Sequence, residues 1–169
     1  TSRAFGGGAI RTGAERYLLG LLHAKVHGAG SDNVEDKVLQ AQLGTLSFMR
    51  AAHIGVDAAL TDGVHWAAAQ ACLRRMSAYS YPDDKMVEAA ACHAHLGVLL
   101  DVHDASFVKL LALCMLACRP PQLHSQLEYA ARFCNSERLW QSDLGVPLSM
   151  CRAALQWLQI QDPHATFSM

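Results

Sequence analysis

LACRPPQLHSQLEYAARF, residues 116 to 133, holds an apolar run, a double proline and then one apolar stripe. Proline lacks a backbone N–H and crowds the turn before it, so neither Pro120 nor Pro121 can lie inside a helix. A first helical turn needs no such donor and tolerates proline. The spacing therefore predicts that one helix ends near Arg119 and another begins near Pro121. Leu123, Leu127, Ala130, Ala131 and Cys134 recur at helical spacing beyond the break.

Upstream, FVKLLALCMLAC (107–118) is apolar on nearly every face, the pattern of a helix surrounded by others. Further stripes flank it. Ile10, Ala14, Tyr17, Leu18 and Leu21 mark a first amphipathic helix, and Leu39, Leu43, Leu46 and Met49 a second. Trp66, Ala69, Leu73 and Met76 mark a third, and Leu148, Cys151, Leu155 and Leu158 one that starts near Pro147. Ser31 or Asp32 can cap the second helix, and Asp83 a helix running to about Leu100. HIGVDAALTDG (53–63) reads as a loop with a short turn of helix. No period-two alternation is sustained, so the fold class is all-α: a layered bundle around a central helix at about 106–118.

The chain has 169 residues, enough for one ordinary domain with a real core, and 51% of them are apolar. A formal charge of −1 gives no long-range pull toward nucleic acid or an anionic membrane. The longest apolar run falls short of the ~20 residues a bilayer needs, so direct membrane insertion is not expected. Six cysteines without a CxxC, in helical segments, read as free buried thiols in a reducing, cytoplasmic compartment. The opening TSRAFGGG without an initiator Met reads as part of a longer chain.

Few groups have the spacing of chemistry. HAKVH (23–27) sets two histidines one turn apart, but the metalloprotease pattern needs glutamate where Ala24 stands. A small metal-dependent enzyme would have to be anchored there. In CHAH (92–95) and His103, neighbouring helical side chains diverge and do not converge on one ion. Cys114 and Cys118 sit in the most apolar helix, where burial makes thiols inert. FGGGA lacks the strand and Lys-Ser/Thr of a phosphate loop. No metal and no cofactor is expected, and spacing alone leaves a helical domain for interaction or regulation.

Three stretches, in order, resemble one family: AQLGTLSFMRAAHIGV (41–56), ACLRRMSAYSYPDDKMVEAAACHAHLGVLL (71–100) and ACRPPQLHSQLEYAARFCNSERL (117–139). The last is the most specific, with Pro121, Leu123, Ser125, Tyr129 and Phe133 in register. The family is the vacuolar protein sorting nine (VPS-nine) domain, which promotes guanine nucleotide exchange on endosomal Rab-type GTPases. The resemblance covers about residues 37–160. It divides the chain into a first helix, 1–30, similar to a helical layer preceding the domain in some members, and a domain at 31–169.

The resemblance implies a Rab-type small GTPase as partner, other domains in a longer parent chain, and recruitment from the cytoplasm to endosomal membranes. In the family an acidic side chain just before the central helix reaches the GTPase phosphate-loop lysine and displaces magnesium. A tyrosine before the last helix holds the switch region. Without gaps the acidic position falls on Ala105, and a slip of one residue makes it Asp104, with Asp101 as the alternative. Asp104 also suits a helix cap. The tyrosine stretch becomes SDLGVPLSM (142–150), where Gly145 is kept but Val146 and Pro147 follow it. The expected GTPase-binding patch is solvent-facing and comprises Asp104, Phe107, Lys109, Gly145, Val146 and Ser149. The losses at Ala105 and Val146 leave a second reading, a degenerate domain that binds or scaffolds without exchange.

Overall fold

A computed structural model describes residues 4–135, 139–140 and 143–162, with side chains from residue 13 onward. The described residues form helices and connecting turns, with no strand. The helices are α1 (Ala4–Val26), α2 (Ser31–Thr45), α3 (Gly63–Arg75), α4 (Pro82–Leu99), α5 (Phe107–Cys118), α6 (Leu123–Phe133) and α7 (Gly145–Gln159). Short 3-10 turns at 46–48, 51–54 and 58–61 bridge α2 to α3; the sequence reads 53–63 as loop, whereas Leu46 and Met49, expected on the second helix, lie past its end at Thr45.

The deciding stretch folds as its residues dictate. The backbone N–H of Arg119 closes α5 onto Met115 O (2.8 Å), with Arg119 itself left-handed. Pro120 and Pro121 follow, then a second left-handed residue, Gln122, from which α6 departs. The first helical residue is Leu123 and not Pro121. Phe107, Cys118 and the unbroken run Leu110–Leu116 are all buried, so α5 is the central helix.

Glutamines and a histidine fix how the neighbours lie. Gln40 of α2 donates to Pro120 O (3.2 Å), just past the end of α5. Gln42 donates to Gln161 O (2.7 Å), just past the end of α7. At the other end the His93 ring of α4 lies against Phe107, at the start of α5, with centroids 5.0 Å apart. His93 Nε2 is also 3.2 Å from Met150 Sδ, near the start of α7. Helices α5 and α7 therefore run side by side in the same direction, with their starts over α4 and their ends over α2. Helices α3 and α4 form the most extensive helix pair and cover another side of the core.

Several local expectations change. Pro82 takes the first position of α4, so Tyr81 is the cap residue and Asp83 falls in the first turn, where its charge complements the helix dipole. Gly30, at φ 59°, precedes α2 in place of a Ser or Asp cap. Asp32 instead turns inward and receives both Nη atoms of Arg132 (2.9 and 3.1 Å). The first helix does not bury its predicted apolar stripe: Ala14, Tyr17, Leu18 and Leu21 are exposed, while the side chain of Ile10 lies outside the described residues. It is held instead by polar and aromatic contacts. Arg16 pairs with Asp84 and lies 5.0 Å over the Tyr81 ring, and His23 and His27 pack edge-on against Tyr129. Phe133, the last residue of α6, is 39% exposed.

Candidate functional site

The start of α5 is built by two successive aspartate turns. Asp101 Oδ1 accepts the His103 N–H (2.9 Å), and Asp104 Oδ1 accepts the Ser106 N–H (2.7 Å). A short acidic side chain binding the backbone two residues ahead is the usual Asx turn. It arrests the chain after α4 and delivers Phe107 to the core. Both aspartates are exposed, and Oδ2 of Asp104 has no hydrogen bond among the described residues.

The start of α7 has a different origin. Gly145 is buried, and a Cβ there would collide with the Leu139 carbonyl oxygen. Glycine at 145 is thus a packing requirement of the short segment at 139–140. Pro147 is buried, whereas Val146 is 65% exposed and Ser149 exposed. Beside them Trp140 is 85% exposed, flanking a groove of about 510 Å³ that Val146, Ser149 and Met150 also line.

The expected solvent-facing patch is therefore only partly at the surface. Asp104, Val146 and Ser149 are exposed. Phe107 and Gly145 are buried. Lys109 is two residues, roughly 200° of helical rotation, from Phe107 and so cannot share its face. Its Nζ reaches Ile54 O at 3.4 Å, toward the 3-10 turn at 51–54. An apolar residue in the first turn of a surrounded helix is drawn inward, which the alignment of a motif does not reveal.

His93 joins the two helix starts, and burial lowers its pKa, favouring the neutral ring. Sequence reading singled out CHAH only as a failed metal cluster, so this role was missed. Trp140 was missed as well, although a tryptophan outside every apolar stripe was the available signal. Among the described residues no three His, Cys, Asp or Glu side chains gather as metal ligands. His23 and His27 stack at 4.6 Å, with both Nε2 atoms buried and without a hydrogen bond among the described residues, and form a docking pair. His65 and His95 meet through their Nδ1 atoms at 3.4 Å. Cys92, Cys114, Cys118 and Cys151 are buried free thiols; hydrogen bonding with Cys118 and Cys92, then burial, raises the pKa of Cys114, and burial raises that of Cys151, both well above the ordinary value.

No helix among the described residues is long and apolar enough to cross a membrane. The chain is similar to vacuolar protein sorting-associated protein 9A of Arabidopsis thaliana, at 25% identity over 139 residues. That match takes in 75% of this chain but 27% of the relative, so the chain spans about a quarter of the relative's length. The family model for the vacuolar sorting protein 9 (VPS9) domain matches residues 66–163, from α3 through α7. It takes in two of the three resembling stretches and both helix starts described above. Because that match covers more than half of the sequence, the chain belongs to the VPS9 domain family.

Proposed function

We propose that this chain binds a Rab-type small GTPase of the endosomal class and promotes release of its GDP. The observation that carries the reading is the common end of the parallel helices α5 and α7. Exposed Asp104 stands before one helix, and exposed Val146 and Ser149 stand in the first turns of the other. Asp104 Oδ1 anchors its own turn while Oδ2 is directed at the partner's phosphate-loop lysine and magnesium site. A carboxylate placed there competes with the nucleotide phosphates for both cations and loosens GDP. Val146 and Ser149 contact the switch region, with Trp140 beside them. Phe107 and Gly145 act from beneath as positioning residues, and Asp101 holds the preceding turn.

The test is release of a fluorescent GDP analogue from a panel of endosomal Rab-type GTPases. Catalytic acceleration by the wild type, lost in Asp104→Ala and kept in Asp101→Ala, is expected. Loss only in Asp101→Ala would move the acidic role to that residue. A second reading is favoured by Asp104 already serving a turn and by the absence of a hydroxyl at Val146: a module that binds the GTPase without exchange. Binding without acceleration would establish it, and absence of binding would remove both readings.

The same proposal keeps residues 1–30 apart from an exchange domain at 31–169, in a longer parent chain recruited to endosomal membranes. The exposed apolar face of α1 (Tyr17, Leu18, Leu21, Leu22) supports a preceding helical layer. A 31–169 variant that fails to unfold cooperatively would make α1 integral instead.

A further inference from the structure

The opposite end of α5 carries a feature that the GTPase reading does not use. A cavity of about 410 Å³ opens between the last turns of α5, Trp66 of α3 and the 3-10 turns after α2. This lies within the rough 300–1,000 Å³ range of small-ligand sites. Its apolar lining is Met49, Trp66, Leu113 and Leu116, all buried side chains of the core. Arg50 and Arg119 are its charged lining residues, and no lining residue is acidic.

Arg50 Nη1 donates to Ser47 O (2.9 Å) and Met49 O (3.2 Å), which holds its head in place. The Arg119 guanidinium has no hydrogen bond or ion pair among the described residues, although its backbone N–H closes α5. Its backbone adds a second observation. Arg119 adopts φ 43° and ψ 64°, directly before Pro120. Glycine is the usual residue in that left-handed position after a helix, and a following proline pushes its predecessor toward extended geometry. Strained residues of this kind concentrate at binding sites.

We propose that this cleft binds a phosphate monoester carried on an apolar body. The two guanidinium groups match the terminal oxygens of a phosphate dianion, and the body rests on Trp66 and Leu113. The last carbonyls of α5 present the negative end of the helix dipole, so the cleft would repel an anion without the arginines. Both are therefore required. The site is independent of the GTPase proposal and stands if that proposal fails.

The test is a titration of the whole chain with phenyl phosphate, followed by backbone amide NMR. Saturable shifts at Ser47, Ala51, Ala117 and Arg119 are expected, with binding weakened about tenfold or more in Arg50→Ala and in Arg119→Gly. Arg119→Gly also separates function from fold. Glycine relieves the left-handed backbone, so its thermal midpoint should rise while binding is lost; a purely structural arginine would not behave so. Vesicles of phosphatidylcholine with phosphatidic acid distinguish the source of the phosphate. Co-sedimentation of the wild type that Arg119→Gly abolishes assigns a lipid headgroup, and phenyl phosphate binding without co-sedimentation assigns a soluble ester. Absence of saturable shifts at these amides, binding undiminished in Arg119→Gly, or inorganic phosphate binding as tightly as phenyl phosphate overturns the proposal.

Discussion

The Asp36 carboxylate of α2 serves as the cap of α6. It accepts the backbone N–H of Ser125 (3.2 Å) and the Ser125 hydroxyl, across 89 positions of sequence. Gln122, the residue before α6, supplies no side-chain cap. One donor exposed by the double-proline break, the Ser125 N–H, is thus met from another helix, and in a buried setting an unmet donor is costly.

Asp36→Ala should therefore destabilise the fold by about 2 to 3 kcal/mol, the scale of hydrogen bonds to a buried charge. Ser125→Ala should cost less, because its backbone N–H still reaches Asp36. Urea unfolding of the two variants and their double mutant measures the coupling. A double mutant whose loss equals the sum of the singles would show that the pair does not act as a unit.

Leu110, fully buried in the central helix, has neighbours from α5's surroundings on every side. Leu110→Ala should cost about 2 to 5 kcal/mol, through lost burial plus an unfilled cavity. Val64→Ala, exposed at the start of α3, is the control and should change stability by less than about 0.5 kcal/mol. Comparable midpoints for the two would contradict the central placement of α5.

Docking of α1 should weaken in acid. Burial holds the His23 pKa down from 6.5 to about 4, reinforced by the charges of His27 and Lys85. His27 is lowered by burial and Lys85, against Gln126, Asp36 and Asp32, which raise it. A base whose folded pKa is depressed leaves the unfolded chain to take up protons first, so stability falls as pH drops. The contribution is complete above about pH 6.5 and lost progressively toward pH 4. After allowance for partial exposure the loss is on the order of 1 kcal/mol. Hydrogen exchange of α1 amides should accelerate across this window, and His23→Phe should flatten the dependence. Parallel profiles for the two proteins would clear His23 of the role.

Gly145→Ala should cost about 1 to 3 kcal/mol, because a backbone carbonyl and not a flexible side chain stands in the way. If the GTPase proposal holds, the same variant should also lose exchange through displacement of Val146. Unchanged melting would mean that residues 139–140 move aside freely.

Val146→Tyr places an aromatic hydroxyl at an exposed position of the start of α7. If the GTPase proposal holds, it should strengthen GTPase binding by about tenfold, one good contact's worth, with little change in stability. Calorimetric titration of the variant against the wild type decides this, and weaker binding would show that Val146 already fits its partner.

The architecture was largely legible in the residues. A double proline, an all-round apolar run at 107–118 and stripes at 39–49, 66–76 and 148–158 specify helices and their breaks through local sterics and burial. These effects act within a few positions of the chain. The resemblance carried by Pro121, Leu123, Ser125 and Tyr129 likewise pointed to the family that residues 66–163 match. What only the tertiary structure decided were matters of facing and of distant partners. Tyr17, Leu18 and Leu21 form a convincing stripe, yet α1 docks by His23, His27 and Arg16, because a core already closed by α2 to α7 leaves it polar and aromatic contacts. Phe107 and Lys109 belong to one expected patch but not to one face of α5. His93 brings two helix starts together that are 38 residues apart, from Phe107 to Gly145. Periodicity records which residues shun water, whereas the partner that shields each one is chosen when all the helices pack at once.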